Sequence, residues 1–437
     1  MFLFRDSGMM PVSMNQDLTD KTKSEKEYDL IVIGGGASGM MAAGVAAEAG
    51  KKVLIIEKNH ELGKKLKITG GGRCNITNAT FDTREFLKNF GDAGRFLFSP
   101  FSQFGVQDTF DFFEEKDLPC VVEAHNRAFP HTHKATDVCK VMVDWLKKYD
   151  VDLLLGCPVQ RIETDQDQGV ITGVGTKQGL RTARNYVLAT GGASHQETGS
   201  TGDGFGWLRD IGHTAQEPAP NIVPLKVREQ WVKDLSGKSL DDMKITFAVD
   251  GKKSFSERGR ILFTHFGVSG PLILNSSYKV ADLLHEGVVT ASIDCFPTDD
   301  LGALERKVLE VFNDHKNKAF KNVIKEIVPP GFSSAIIAFG VITDEEVKVH
   351  SISKEERKAL VHLMKDLPLT ILDLMSMDKA VISDGGIPLT EVDTKFMRSK
   401  IYSNLYVTGD ILHINRPSGG YSLQLCWTTG YVVGKSI

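Results

Sequence analysis

The chain has few cysteines and no paired ones. Its six, Cys74, Cys120, Cys139, Cys157, Cys295 and Cys426, are widely spaced and form no C-x-x-C unit. That spacing excludes a zinc ribbon, a dithiol redox centre and a secreted disulfide framework, and points to a reducing compartment. It also lacks a dominant charge. Fifty-two Lys and Arg against 56 Asp and Glu leave a net charge of −4, so neither nucleic acid nor an anionic membrane is expected as a partner, and a small molecule is. No metal site is expected. Internal repeats and low-complexity tracts are missing. A bilayer span is missing as well: residues 30–47 carry no charge, but five of those eighteen are glycine, which a membrane helix has no reason to contain. Residues 1–27 carry Arg5 and Asp6 early and then a polar stretch, so they offer no continuous apolar core of a signal peptide. They are read as a flexible arm on a cytoplasmic protein whose oligomeric state the sequence leaves open. At 437 residues the chain has room for about three packed units.

What is present begins at Tyr28-Asp29-Leu30-Ile31-Val32-Ile33, a branched apolar run suited to a strand buried on both faces. Gly34-x-Gly36-x-x-Gly39 follows, with Ala37 and Ser38 inside it, and opens a helix of small residues from Met40 to Ala49. In such a unit the first glycine permits the turn and the second lets the backbone approach a pyrophosphate. The third removes a side chain between helix and strand. The helix N-terminus supplies N–H groups and partial positive charge. A second strand, Lys52-Val53-Leu54-Ile55-Ile56, ends at Glu57, whose carboxylate stands where ribose hydroxyls are bound and a 2′-phosphate is repelled. A lone glycine motif is ambiguous, but strand, turn, helix, strand and acid in this order indicate dinucleotide binding.

Next comes Gly70-Gly71-Gly72-Arg73-Cys74-Asn75, whose exposed amides, guanidinium and side-chain amide could wrap an anionic ligand. Further marks are Ala189-Thr190-Gly191-Gly192, Phe263-Thr264-His265-Phe266-Gly267-Val268-Ser269-Gly270-Pro271 and Gly419-Gly420-Tyr421-Ser422-Leu423-Gln424. Together with the fingerprint and Glu57-Lys58, these segments resemble the bacterial FAD-binding oxidoreductases that include aminoacetone oxidase-like and bile-acid reductase-like flavoproteins. The resemblance spans nearly everything after the arm. It implies FAD, with NAD(P)H as an electron donor to be considered, and an α/β fold. That fold is a Rossmann-type, glutathione reductase-like FAD-binding domain interrupted by a β-rich domain with a nested helical unit.

By the same resemblance the cofactor-binding set is Gly34, Gly36, Ala37, Ser38, Gly39, Glu57, Lys58, Gly72, Arg73, Cys74, Asn75, Val159, Thr190, Gly191, Gly192, Asp410, Gly420 and Tyr421. Val159 is implied as a backbone contact to adenine, with a buried strand residue as its other reading. Arg127-Ala128-Phe129-Pro130 and Lys134 match the family pattern as well. The chain departs from it at Asp410, where many relatives carry Glu, and at His413-Ile414-Asn415-Arg416-Pro417, so substrate class is not carried over.

The expected units are 28–222 and 373–437 for the FAD-binding domain, 223–298 and 341–372 for the β-rich insertion, and 299–340 for the helical unit. Lys244 to Val249 followed by Asp250-Gly251 reads as a strand entering a hairpin. Leu304, Val308, Val311 and Phe312 have helical spacing, and Ser353 to Glu356 forms a capping box before a helix that Pro368 stops. Proton-transfer candidates are Tyr421, His413, His265, His131, His133 and Cys74, none fixed by spacing. The function read from these features is an FAD-dependent oxidoreductase of a small molecule, NAD(P)H-linked. A flavin-dependent oxidase or dehydrogenase of an amine or alcohol, and a flavin-containing RNA-modifying protein, are the alternatives.

Overall fold

A computed structural model describes residues 27–437. All but the last residue of the arm expected at 1–27 therefore lies outside the described residues.

The strand Tyr28–Ile33 sits inside a seven-stranded sheet, its last four residues buried. It pairs in parallel with Val53–Ile56 on one side and Ala183–Leu188 on the other, Ile31 standing opposite both Leu54 and Tyr186. Leu405–Val407 extends the parallel run beyond Ala183–Leu188, which brings the C-terminal end of the chain back to the sheet. Such strands are covered on both faces, and this explains their continuous apolar composition.

Helix Ala37–Glu48 is buried on nearly every side, from Ser38 to Ala47. Its small residues allow this. Gly44 faces the ring of Trp145, and the C-terminal helix Tyr421–Ser436 approaches through Gly430 and Gly434, where an added Cβ would come 2.5 Å from Ser38 O and 2.6 Å from Ala42 O. Backbones this close leave no room for side chains between them.

The excursion is a closed six-stranded barrel: Leu225–Val227, Gly267–Ser269, Lys252–Thr264, Ser239–Val249, Val289–Asp294 and Leu367–Leu374 in spatial order. The turn at Asp250-Gly251 joins its two longest strands. Strict alternation fills it: Val289, Ala291 and Ile293 are buried, and a fully buried Val or Ile contributes about 1.5–3 kcal/mol. Phe247 stacks on Phe255 with centroids 4.8 Å apart. Helix Leu301–Asp314 starts at Asp300, whose carboxylate accepts the Ala303 N–H, and buries Leu304, Val308 and Phe312. The capping box forms at Ser353 and Glu356 and opens helix Lys354–Lys365. This helix lies where the capping box placed it, beyond the helical unit expected at 299–340. Pro368 does not stop the helix; it lies in the last barrel strand, which begins at Leu367. The two crossings between sheet and barrel, Gln216–Asn221 and Ile382–Gly386, pair antiparallel. None of the described helices is long and apolar enough to cross a membrane.

Candidate functional site

A cavity opens where the fingerprint turn, the glycine loop, the crossings and the C-terminal helix meet. Of the expected cofactor-binding residues, Gly34, Gly36, Ala37, Ser38, Glu57, Lys58, Asn75, Val159, Thr190, Gly191, Asp410 and Gly420 line it.

The three fingerprint glycines do different work. A Cβ on Gly34, at φ +107°, would lie 2.5 Å from Ala189 O, and one on Gly39 would lie 2.0 Å from Gly34 O. On Gly36 it would meet nothing within 4 Å. The first and third glycines therefore pack strand against helix, and the middle one leaves its face open. Gly36 is also the N-cap of helix Ala37–Glu48 and supplies no side-chain cap. The first N–H groups of that helix thus face space that an anion can fill, the arrangement a dinucleotide's diphosphate requires.

Glu57 fixes this turn. Its Oε2 accepts the Gly35 N–H at 2.7 Å, while Oε1 accepts the backbone and side-chain N–H of Asn59, both at 2.8 Å. Lys58 reaches across to Asp203 at 2.8 Å and to the Thr201 hydroxyl. Asp410 accepts a hydrogen bond from Arg416, whose side chain is buried and also donates to Ile414 O at 2.5 Å and Ser422 Oγ at 2.9 Å. Arg416 belongs to the stretch that departs from the family pattern, and it anchors Asp410 from within the protein.

Asn75 acts as a clamp: its amide donates to the carbonyls of Ala128 and Thr77 and accepts the Gly420 N–H at 3.0 Å. A Cβ on Gly420 would be 2.3 Å from Thr77 C, so the turn before the C-terminal helix is pressed against the strand that follows the glycine loop.

Six expected residues do not line the cavity. Gly39 is internal packing, as above. Gly72, at φ +84°, ends the exposed left-handed run of the glycine loop. Arg73 turns away to pair with Glu123, approach His133 Nδ1 at 2.8 Å and stack over Phe129 at 4.1 Å. Gly192 packs on Ser383 of the second crossing. Cys74 is fully buried, and burial pushes its thiol up to about 12, so no thiolate is available. Tyr421 packs its ring on Phe86 at 4.8 Å, and burial pushes its phenol up.

The histidine candidates lie elsewhere too. His413 pairs with Asp384 of the second crossing at 3.3 Å, which raises its pKa. His265 is exposed in the turn between two barrel strands, and His131 and His133 are exposed, His133 beside Arg73.

Lys65 is among the lining residues that motif reasoning passed over. Its Nζ donates to Ser194 Oγ at 2.7 Å, and burial lowers its pKa against the opposing pull of Asp410. The only sequence signal was the cationic run Lys64-Lys65 ahead of the glycine loop. A cation in a desolvated wall, beside unfilled helix N–H groups, fits a ligand carrying a diphosphate.

A family model for the HI0933-like protein Rossmann domain matches residues 28–436. A 3-dehydro-bile acid delta(4,6)-reductase of Clostridium scindens is 28% identical over 93% of this chain and 98% of its own length. A ribosomal RNA dihydrouridine synthase of Haemophilus influenzae is 26% identical, again over 93% and 98%. Among solved structures, a 3-ketosteroid-delta4-(5alpha)-dehydrogenase from Rhodococcus jostii shares the fold with a TM-score of 0.52 at 15% identity, covering 96% of this chain and 98% of that one. The chain belongs to the HI0933-like Rossmann family and is an FAD-dependent oxidoreductase.

Proposed function

We propose that this protein is an NAD(P)H-linked reductase that saturates a carbon–carbon double bond conjugated with a carbonyl in a small, flat ring compound. The observation that carries this reading is the end-to-end match to two relatives whose names describe that one chemistry, on a steroid nucleus in one case and a uracil ring in the other. The cavity supports it, because it runs from the fingerprint to the crossings at Ile222, Val381 and Ile382 and to Ser418. A flat substrate would enter there, between sheet domain and barrel.

FAD, when bound, supplies the hydride chemistry. The chain's own residues do the holding. The N–H groups after Gly36 and the Lys65 ammonium take the diphosphate, Glu57 stands at the adenosine ribose, and Asp410, fixed by Arg416, stands at the ribityl hydroxyls. Val159 contacts the adenine. Thr190, Gly191 and Gly420 close the walls.

The test is anaerobic. NADH or NADPH should bleach the visible flavin band, and a 3-keto-4,6-diene steroid should restore it. Bleaching by an amine or alcohol alone would replace this reading with an oxidase or dehydrogenase. The second relative favours a uridine in RNA as another acceptor; reoxidation by a ribosomal RNA fragment and not by the steroid would select it.

A further inference from the structure

The loop 417–420, which precedes the C-terminal helix and lines the cavity, is gripped from two domains. On the sheet side, Asn75 accepts the Gly420 N–H, and Asn78 Nδ2 donates to Gly419 O at 3.2 Å. On the barrel side, Asn275 Oδ1 accepts two hydrogen bonds from Ser418, from its N–H at 3.0 Å and from its hydroxyl at 2.8 Å. Asn275 lies in helix Pro271–Glu286, which follows the barrel strand Gly267–Ser269 and packs Leu272, Ile273 and Val280 inward. It is itself exposed, so core packing does not account for it.

The other polar ties near this junction hold different segments. Asn221 Nδ2 donates to Asn415 Oδ1 at 2.9 Å, and His413 meets Asp384. Both join the crossings to residues 413–415. Asn275 reaches past them to the cavity wall, from 143 residues away in sequence.

We propose that Asn275 is a positioning residue: by holding both donors of Ser418 on one oxygen it fixes the left-handed Gly419-Gly420 turn, and with it the N-terminal end of helix Tyr421–Ser436, against the cofactor. Gly419 and Gly420 adopt φ +110° and +102° and Gly420 has no side-chain cap to offer, so the turn's position is set by its neighbours. The barrel thereby becomes part of the cofactor site, and a molecule pressing on the barrel helix acts on the loop through one side chain. The inference rests on the reading that FAD fills this cavity.

Asn275→Ala and Asn275→Asp test it, the second restoring an acceptor oxygen. Hydrogen–deuterium exchange of the Ser418 amide needs no flavin, and FAD affinity and the flavin midpoint potential complete the comparison. Asn275→Ala should speed exchange at Ser418 and weaken FAD binding, each on the order of tenfold, and displace the potential, while circular dichroism stays native. Asn275→Asp should recover most of each. Exchange, affinity and potential unchanged in Asn275→Ala would overturn the proposal. Faster exchange with unaltered FAD affinity and potential would also overturn it, since the loop would then be held without bearing on the cofactor. A native chain that takes up no FAD would instead overturn the cavity reading.

Discussion

The sheet domain and the barrel handle their backbone amides in opposite ways. Around Gly36 the sheet domain leaves N–H groups facing open space, because the middle glycine has no neighbour there and the helix has no capping side chain. The barrel pairs its strands into a closed ladder. At its seam Gly267 comes so close to Leu225–Val227 that an added Cβ would be 2.2 Å from Leu225 O. Closed ladders remove sheet edges and spend their donors on each other. Binding capacity is thus concentrated in one half, and the other half contributes a hold on the loop.

The strongest way to break this contrast is to crowd each half at its tightest glycine. Gly39→Val and Gly267→Val should each cost at least about 3 kcal/mol in a denaturant titration, since backbone must move in both. Gly39→Val should also abolish FAD uptake by whatever protein remains folded, and Gly267→Val should retain it. Equal loss in both would erase the distinction.

Lys65→Met follows in size. Removing a charge-assisted contact of about 1.5–3 kcal/mol should weaken FAD binding by roughly ten- to a hundredfold in a fluorescence titration. In the protein without cofactor the sign reverses. Burial holds the Lys65 pKa below 10.5, so the unfolded chain binds more protons and stability rises with pH between the lowered value and 10.5. Lys65→Met should flatten that rise.

The junction between the halves gives a smaller effect. The bond to Asp384 raises the His413 pKa above 6.5; burial pushes Asp384 up, but His413 and the Gly385 N–H outweigh it and leave Asp384 below 3.8. Stability from a raised histidine is complete below 6.5 and is lost as pH climbs through the raised value. His413→Gln should remove that alkaline loss, worth under about 1 kcal/mol at so partly exposed a pair, as read by melting temperature against pH. Smallest of all is Cys74→Ala: the thiol is buried and protonated, and flavin reduction by the electron donor should proceed at the native rate.

Much of the sheet domain was legible because its signals are local. Strand, glycine turn, small-residue helix and Glu57 fall within about thirty residues, and each glycine's duty follows from its place in that order. The barrel was legible only as strands, since closure joins Leu225–Val227 to Leu367–Leu374 across the whole insertion and no local pattern encodes that pairing. Three of the expected residues that do not line the cavity share one cause. Arg73, Cys74 and Tyr421 sit within binding motifs, yet side-chain direction depends on partners such as Glu123, Phe129 and Phe86, which come from other segments. Lys65 and Arg416 carried no motif, and their roles arise from burial.

The most direct measurement is FAD binding to Gly36→Asp beside the native chain. The site has space for the new side chain and ordinary backbone angles, so the folded state and its melting temperature should be retained. Uptake of one FAD per chain by the native protein and none by Gly36→Asp is the expected result. Equal affinity in the two would contradict the placement of the diphosphate at this helix end.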